Sequence, residues 1–326
     1  MQGYVIGVDL GGTKILTALA DLEGEILAKS RLATLADEGQ TVVVKRIIES
    51  IEQVLKDAEI KRKEVQAIGV GCPGPLNVTE GIIYHAPNLG WKDVNIKELI
   101  KNEIDIPVFI ENDANAAALG EKWFGAGRNI DNLIYMTVST GIGGGIIINR
   151  KLYHGANDSA GEIGHIVIDP ASHSECGCGD VGCWEAIASG TALGRLGKEA
   201  VDVGQNSLME ELVDDIDDID EIDGAIVTKA AAKGDKVAGQ ILEQVTNYLG
   251  IGVANLVNIL NPEMIIVGGG VSQAGDMILQ PIREVVNQRA LKAPAEVVKI
   301  VPAQLESEVG VVGAIAKALV EIGRLN

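Results

Sequence analysis

Two segments of this chain run from an apolar strand into a glycine-rich turn and straight back into another apolar strand, which limits its possible folds more than any other feature. The first is Tyr4–Leu10, a turn through Gly11, Gly12 and Thr13, and Ile15–Ala20; the second is Leu133–Val138, the turn Ser139-Thr140-Gly141-Ile142-Gly143, and Gly144–Ile148. A tight turn of glycines beside a hydroxyl residue presents backbone N–H groups with no side chain in front of them, a surface suited to an anion. No helix follows the first glycine pair, so it is neither a Walker A loop nor a dinucleotide fingerprint. The repetition implies a duplicated hairpin, two walls gripping opposite sides of a polyphosphate. The candidate contacts are Gly11, Gly12, Thr13 and the neighbouring Lys14 in one wall, and Thr140, Gly141 and Gly143 in the other. Lys14 is given no catalytic role. Asp9, at the end of the first strand, is placed to hold Mg²⁺ directly or through water. A third cluster, Gly268-Gly269-Gly270, ends the strand Met264–Val267, where a flat adenine would lie against bare backbone.

Between these landmarks, strands and helices alternate. Glu25–Leu32 and Val65–Val70 read as strands, the latter ending in the turn Gly71-Cys72-Pro73-Gly74-Pro75. Thr41 to about Ile60 has helical spacing, with Val42, Ile47, Ile48, Ile51 and Leu55 on one face. Asn95 with Glu98 predicts a capping box for a helix over Ile96–Asn102. Pro107–Ile110 reads as a strand leading into an alanine-rich helix, Asp113–Phe124, and Gly310–Ile322 as a final amphipathic helix. The segment Glu210–Asp223 is read as a solvated helix or loop face. At 326 residues the chain exceeds one ordinary compact domain, so two lobes are expected.

The net charge of −19 argues against a nucleic-acid partner, which needs clustered Lys and Arg. It leaves room for a phosphorylated ligand held by backbone N–H groups and a metal ion. No apolar run is long enough to cross a membrane, and the first residues carry no basic leader, so a cytoplasmic location is expected. Of the four Cys, Cys176, Cys178 and Cys183 lie close together, and with His165 they give the spacing His-x10-Cys-x-Cys-x4-Cys. Three thiolates and one imidazole fill a tetrahedral Zn²⁺ and leave no position for a reactive water, so the ion is expected to be structural. Gly177 and Gly179 are expected to let the loop fold sharply around it. Such an ion would fix one nitrogen of His165 and tie the loop bearing Glu162 to the segment bearing Glu185. Cys72 reads as a small buried residue rather than a nucleophile.

The chain resembles the ROK family of sugar kinases and repressors. The resemblance rests on Asp9-Leu10-Gly11-Gly12-Thr13-Lys14, the hairpin Ser139–Gly145, Glu111-Asn112-Asp113-Ala114-Asn115-Ala116-Ala117, and Gly161-Glu162-Ile163-Gly164-His165 followed by the cysteine loop through Cys183-Trp184-Glu185. It covers the chain from residue 4 onward and implies an α/β, two-lobed, actin-like ATPase (ribonuclease H-like) fold with its active site in the interlobe cleft. The small lobe is drawn as 1–112 plus 309–326 and the large lobe as 113–308. The resemblance also implies that Asp113 is the general base for a sugar 6-hydroxyl attacking the γ-phosphate. Asn112, Glu162, His165 and Glu185, with the backbone of Gly74, would contact the sugar. The motif set looks most like that of ATP-dependent bacterial glucokinases, which makes glucose the expected substrate. Family kinases for fructose, allose, N-acetylglucosamine and N-acetylmannosamine, and polyphosphate as donor, are the alternatives. A homodimer or homotetramer is expected by the same resemblance. A repressor is disfavoured because the first hairpin begins at Asp9, and a non-catalytic sugar binder is disfavoured by Asp113 and both hairpins.

Overall fold

The computed structural model describes residues 3–213 and 219–326. In chain order it contains β1 (Tyr4–Leu10), β2 (Lys14–Asp21), β3 (Ile26–Ala33), α1 (Gln40–Asp57), β4 (Val65–Cys72), β5 (Leu76–Asn77), β6 (Ile82–Ala86) and β7 (Trp91–Asn95). There follow α2 (Ile96–Lys101), β8 (Val108–Asn112), α3 (Asp113–Phe124), β9 (Leu133–Val138), β10 (Ile142–Ile148) and β11 (Lys151–Leu152). The remainder is α4 (Trp184–Ala188), α5 (Gly190–Asp202), α6 (Gly224–Ala232), α7 (Lys236–Leu260), β12 (Met264–Gly268), α8 (Asp276–Arg289), α9 (Lys292–Val297), β13 (Lys299–Pro302) and α10 (Val309–Glu321). The chain divides into two compact units, one of Met1–Tyr135, Gly145–Gly161 and Gln304–Asn326, the other of Met136–Gly144 and Glu162–Ala303.

In the first unit a sheet of order β3-β2-β1-β4-β8 has antiparallel β1–β2 and β2–β3 pairs and parallel β1–β4 and β4–β8 pairs. Its two faces differ in side-chain size, as the period of two along each strand allows. Tyr4, Ile6, Val8 and Leu10 of β1, with Val65, Ile68 and Val70 of β4, join one core with Val43, Ile47, Ile51 and Val54 of α1. The buried face of α1 includes Val43 and Val44 rather than the predicted Val42, which is half-buried. The opposite face carries Val5, Ala18 and Ala67 and meets Val311, Ile315 and Leu319 of α10. Here small residues are a requirement: a Cβ on Gly7 would lie 2.5 Å from the Val311 carbonyl oxygen, and one on Gly69 would collide with that of Ala314. Helix α10 meets α3 in the same way, because a Cβ on Gly120 would sit 3.0 Å from the Gly313 nitrogen. The fully buried carboxylate of Glu121 accepts the backbone N–H groups of Ala126, Gln304 and Leu305, each at 2.8 Å, and so fastens the chain as it enters α10.

Of the capping box predicted for α2 the structure shows the Asn95 half, its Oδ1 accepting the Glu98 N–H at 3.0 Å. The small sheet β5-β6-β7 has no counterpart in the sequence reading, since its middle strand puts Tyr84 and His85 in solvent and breaks the apolar run. In the second unit Trp184 is fully buried against α7, whose Gly252 leaves space for the indole ring. Ala238, Leu242, Val245, Leu249, Val253 and Val257 form the buried stripe of α7. A sheet of order β11-β10-β9-β12-β13 contains Met136–Val138, Ile142–Gly144, β12 and β13 of this unit. The units differ from the lobes drawn by sequence near residue 112, because α3 clusters with the sheet and α10 of the first unit. Part of the acidic segment Glu210–Asp223 lies outside the described residues.

Gly69→Ala is expected to destabilise the protein by about 3 kcal/mol in urea unfolding, because a rigid backbone carbonyl stands where the methyl must go. Gly239→Ala in α7, with open space around it, is expected instead to stabilise by about 0.5–1 kcal/mol.

Candidate active site

In the first unit the turn after β1 is held from both sides. The Gly11 N–H donates to the Lys14 carbonyl at 3.0 Å, and buried Thr34 donates its hydroxyl to the Gly11 carbonyl (2.7 Å) and its N–H to that of Thr13 (3.0 Å). A Cβ on Gly12 would lie 2.8 Å from the carbonyl oxygen of Asn88, so the turn also abuts the segment before β7. The Asp9 carboxylate lies against Gly310 at the start of α10, where a Cβ would approach it to 2.6 Å. Burial, and then the charge of Asp113, push the Asp9 carboxyl up to about 6 despite the opposing pull of Lys14.

Asn112 and Asp113 stand where β8 passes into α3. Asn112 caps the helix, its Oδ1 accepting the Ala114 and Asn115 N–H groups at 2.9 and 3.2 Å. Asp113 is exposed at the first helical position, and its Oδ1 accepts the Ala114 N–H at 2.8 Å. A carboxylate there is favoured by the positive end of the helix dipole. Gly74, in a cis peptide bond with Pro75, approaches the Asn112 side chain so closely that a Cβ would be 3.4 Å from its Nδ2. Cys72 is fully buried, and burial together with the charges of Asp113, Glu111 and Asp9 raises its thiol well above the ordinary range. It is an inert residue of the core.

In the second unit the other hairpin is clamped by helix starts. Gly190 and Thr191 donate backbone N–H groups to the carbonyls of Ser139 (2.7 Å) and Thr140 (3.4 Å), and the Thr191 hydroxyl reaches the Thr140 carbonyl at 2.8 Å. Glu185 Oε2 accepts the Ile142 N–H at 2.9 Å, so this carboxylate is joined to the hairpin, a contact the sequence spacing does not announce. The turn Gly161–His165 packs on the same hairpin, since a Cβ on Gly164 would collide with the Ile142 carbonyl. Gly269 has φ +89°, and its Cβ position is taken by the Val138 carbonyl, so glycine is required there twice over.

A cavity of about 1010 Å³ opens beside this hairpin, entirely within the second unit. Of the residues expected at the nucleotide, Thr140 and Gly270 line it, together with Ser139; Gly141, Gly143, Gly268 and Gly269 lie outside its lining. The sequence reading missed Thr191, Arg195, Asp223, Thr228 and Met277 on its walls. Ser189-Gly190-Thr191 was the available signal, a hydroxyl–glycine cluster like the hairpins but opening a helix. The Ser189 hydroxyl oxygen accepts the Ala192 N–H at 3.2 Å as that helix's cap.

His165, Cys176, Cys178 and Cys183 bring one ligand atom each to within 4.8 Å of one another. Cys176 Sγ is 3.5 Å from His165 Nδ1, and Cys178 Sγ is 3.7 Å from Cys183 Sγ. Zinc–sulfur and zinc–nitrogen bonds at tetrahedral angles require edges of about 3.5–3.8 Å, so the donor set and its spacing fit Zn²⁺. Nδ1 faces the thiols, while Nε2 lies 3.9 Å from Glu162 Oε2. The loop turns at Gly179, as expected from the sequence, and at Gly182, both with positive φ; Gly177, the other glycine expected to turn it, has no positive φ. One bonded assembly thus contains the cysteine loop, Glu162, Glu185 and the second hairpin.

A family model described as the ROK family matches residues 5–321. The chain belongs to the ROK family. It is 38% identical over 310 residues to a glucokinase of Halalkalibacterium halodurans, covering 95% of this chain and 93% of that one. It is also 37% identical over 319 residues to a xylose repressor of Caldicellulosiruptor bescii, covering 97% of this chain and 78% of the repressor. A ROK family glucokinase from Streptomyces griseus, solved in complex with glucose and AMPPNP, superposes with a TM-score of 0.82 at 37% identity, over 97% of this chain and 99% of that one. The fold is the actin-like ATPase fold of these kinases. No helix among the described residues is long and apolar enough to cross a membrane.

Two measurements test this site. Purified protein is expected to carry about one zinc per chain by atomic absorption, and Cys176→Ser to lose it with a lower melting temperature. Unchanged metal content in the variant would remove Cys176 from the ligand set. Asp9 holds its proton more tightly folded than unfolded, so its contribution falls as pH rises from about 4 and levels off above about 6. Relative to wild type, metal-free Asp9→Asn is expected to gain on the order of 3 kcal/mol across that window, measured by urea unfolding at several pH values.

Proposed function

We propose that this protein transfers the γ-phosphoryl group of ATP to the 6-hydroxyl of glucose. The observation that carries the reading is the extended likeness to the Streptomyces griseus glucokinase, whose complex holds glucose and an ATP analogue. The site's chemistry is consistent with it. Asp113 is exposed at a helix start, with one oxygen engaged by its own helix, and as general base it would take the proton of the attacking hydroxyl. Phosphoryl transfer asks for little covalent chemistry beyond this; it depends on in-line placement and on cancelling charge at the phosphate. Mg²⁺ associated with Asp9 would supply part of that cancellation when bound.

Hydrogen-bonding groups rather than rings would read the sugar. Asn112 offers donor and acceptor, the Gly74 backbone stands beside it, and Glu162, Glu185 and His165 Nε2 supply further partners for hydroxyls. The cavity beside Thr140 and Gly270 would take the nucleoside end of the donor, with Thr191 and Thr228 among its polar walls. Structural Zn²⁺ would hold His165 through Nδ1 and fix which nitrogen reaches the sugar.

The likeness to a xylose repressor shows that identity alone does not separate kinase from regulator, so activity decides. A coupled assay across glucose, fructose, allose, N-acetylglucosamine and N-acetylmannosamine, with ATP and with polyphosphate, is expected to give the highest kcat/KM for glucose with ATP. A higher value for an N-acetylated sugar would overturn the substrate assignment. Asp113→Asn is expected to bind glucose within about threefold of wild type and to lose about 10³-fold in kcat.

A further inference from the structure

The proposed reaction uses Asp113 but leaves unexplained the fully buried carboxylate two residues before it. Glu111 is reached by donors from four directions. Its Oε2 accepts from His154 Nε2 at 2.9 Å and from Lys317 Nζ of α10 at 3.2 Å. Its Oε1 accepts from Asn115 Nδ2 of α3 at 3.2 Å and from the Asn112 N–H at 3.2 Å. Two of these donors belong to the turn that presents the base, so the position of this carboxylate helps set the position of that turn.

The partners hold Glu111 in different ways. Lys317, also buried, is shared with Glu321 at 2.7 Å, so one cation stands between two carboxylates. His154 adds a directional bond, a ring nitrogen aimed at the one oxygen that Lys317 also holds. Burial works against the charge on Glu111, yet the hydrogen bond from His154 and the charge of Lys317 outweigh it and hold the carboxyl below its usual range. His154 is in turn fixed by its own loop: the Ala160 N–H returns to the His154 carbonyl at 3.0 Å, and Asp158 Oδ2 accepts the Val78 N–H at 3.0 Å, just past the Gly74-Pro75 turn. One loop thus grips the two segments expected at the sugar in this unit, β8–α3 and the turn after β4.

We infer that His154 is a positioning residue for the reaction: acting through Glu111, it sets where Asn112 and Asp113 stand, and so governs turnover more than sugar affinity. The inference rests on the reading of Asp113 as general base. A base displaced by a fraction of an ångström loses in-line geometry while hydroxyl contacts elsewhere still hold the sugar.

The test compares His154→Leu, His154→Gln and Asp113→Asn in the full-length protein, with kcat and KM from a coupled assay, glucose dissociation constants from calorimetry, and thermal melts. His154→Leu is expected to lower kcat about ten- to hundredfold with the glucose dissociation constant within about threefold of wild type. His154→Gln, whose amide can still donate to Glu111, is expected to recover most of that loss. Wild-type kcat in the leucine variant overturns the inference. So does a parallel fall in kcat, glucose affinity and melting temperature with no recovery in His154→Gln, which is the mark of a merely structural residue. If the leucine variant does not fold, His154→Asn, with an amide too short to reach Glu111, takes its place. Loss of turnover in Asp113→Asn beside normal turnover in His154→Leu sinks only the positioning role. Normal turnover in Asp113→Asn removes the base reading, and the positioning role with it.

Discussion

Close approach of one stretch of main chain to another, made possible by a missing Cβ, is the constraint on which this structure depends. The sheet of the first unit accepts α10 because Gly7 and Gly69 present no side chain to it. In the second unit the Gly161–His165 turn and the start of α5 press on the Ser139–Gly145 hairpin through Gly164 and Gly190. At Gly190 the approach lets a backbone N–H reach the Ser139 carbonyl at 2.7 Å, so main chain helps to fasten that hairpin. Rigid placement of this kind suits a reaction whose catalysis is mostly a matter of position.

Charged groups take up where the backbone contacts stop. Glu121 gathers three N–H groups, two of them at the entry to α10, and Glu111 gathers four donors beneath the Asn112–Asp113 turn. A buried carboxylate costs folding energy unless its lone pairs are filled, and both of these are well supplied. Asp9 is the contrast. Burial and the charge of Asp113 push its carboxyl up to about 6. The two structural acids thus differ from the acid proposed to meet Mg²⁺ in how completely the fold satisfies them.

Much of this was legible in the sequence. Apolar runs broken by hydroxyl–glycine turns gave β1, β2 and β9 nearly to the residue, and the His-Cys-Cys-Cys spacing gave a ligand set that converges in space. What stayed hidden was of another kind. The β5-β6-β7 sheet is short and half solvated, so its alternation is weak. The partnership of Glu111 with His154 and Lys317 joins residues far apart in sequence, and no local pattern encodes it. The bond from Ile142 to Glu185 escaped for the same reason. The α5 start was visible as Ser189-Gly190-Thr191, but its role appears only when it closes on the hairpin.

The place of α10 in the chain also bears on how the molecule is made. The strands β1 and β4 leave the ribosome well before α10, and the helix that covers their small-residue face comes after the whole second unit has been synthesised. During elongation that face stays uncovered while the intervening residues can already complete their own core. Of the two units, the one whose sheet is translated first is therefore finished second, and that sheet stays open while the other is made.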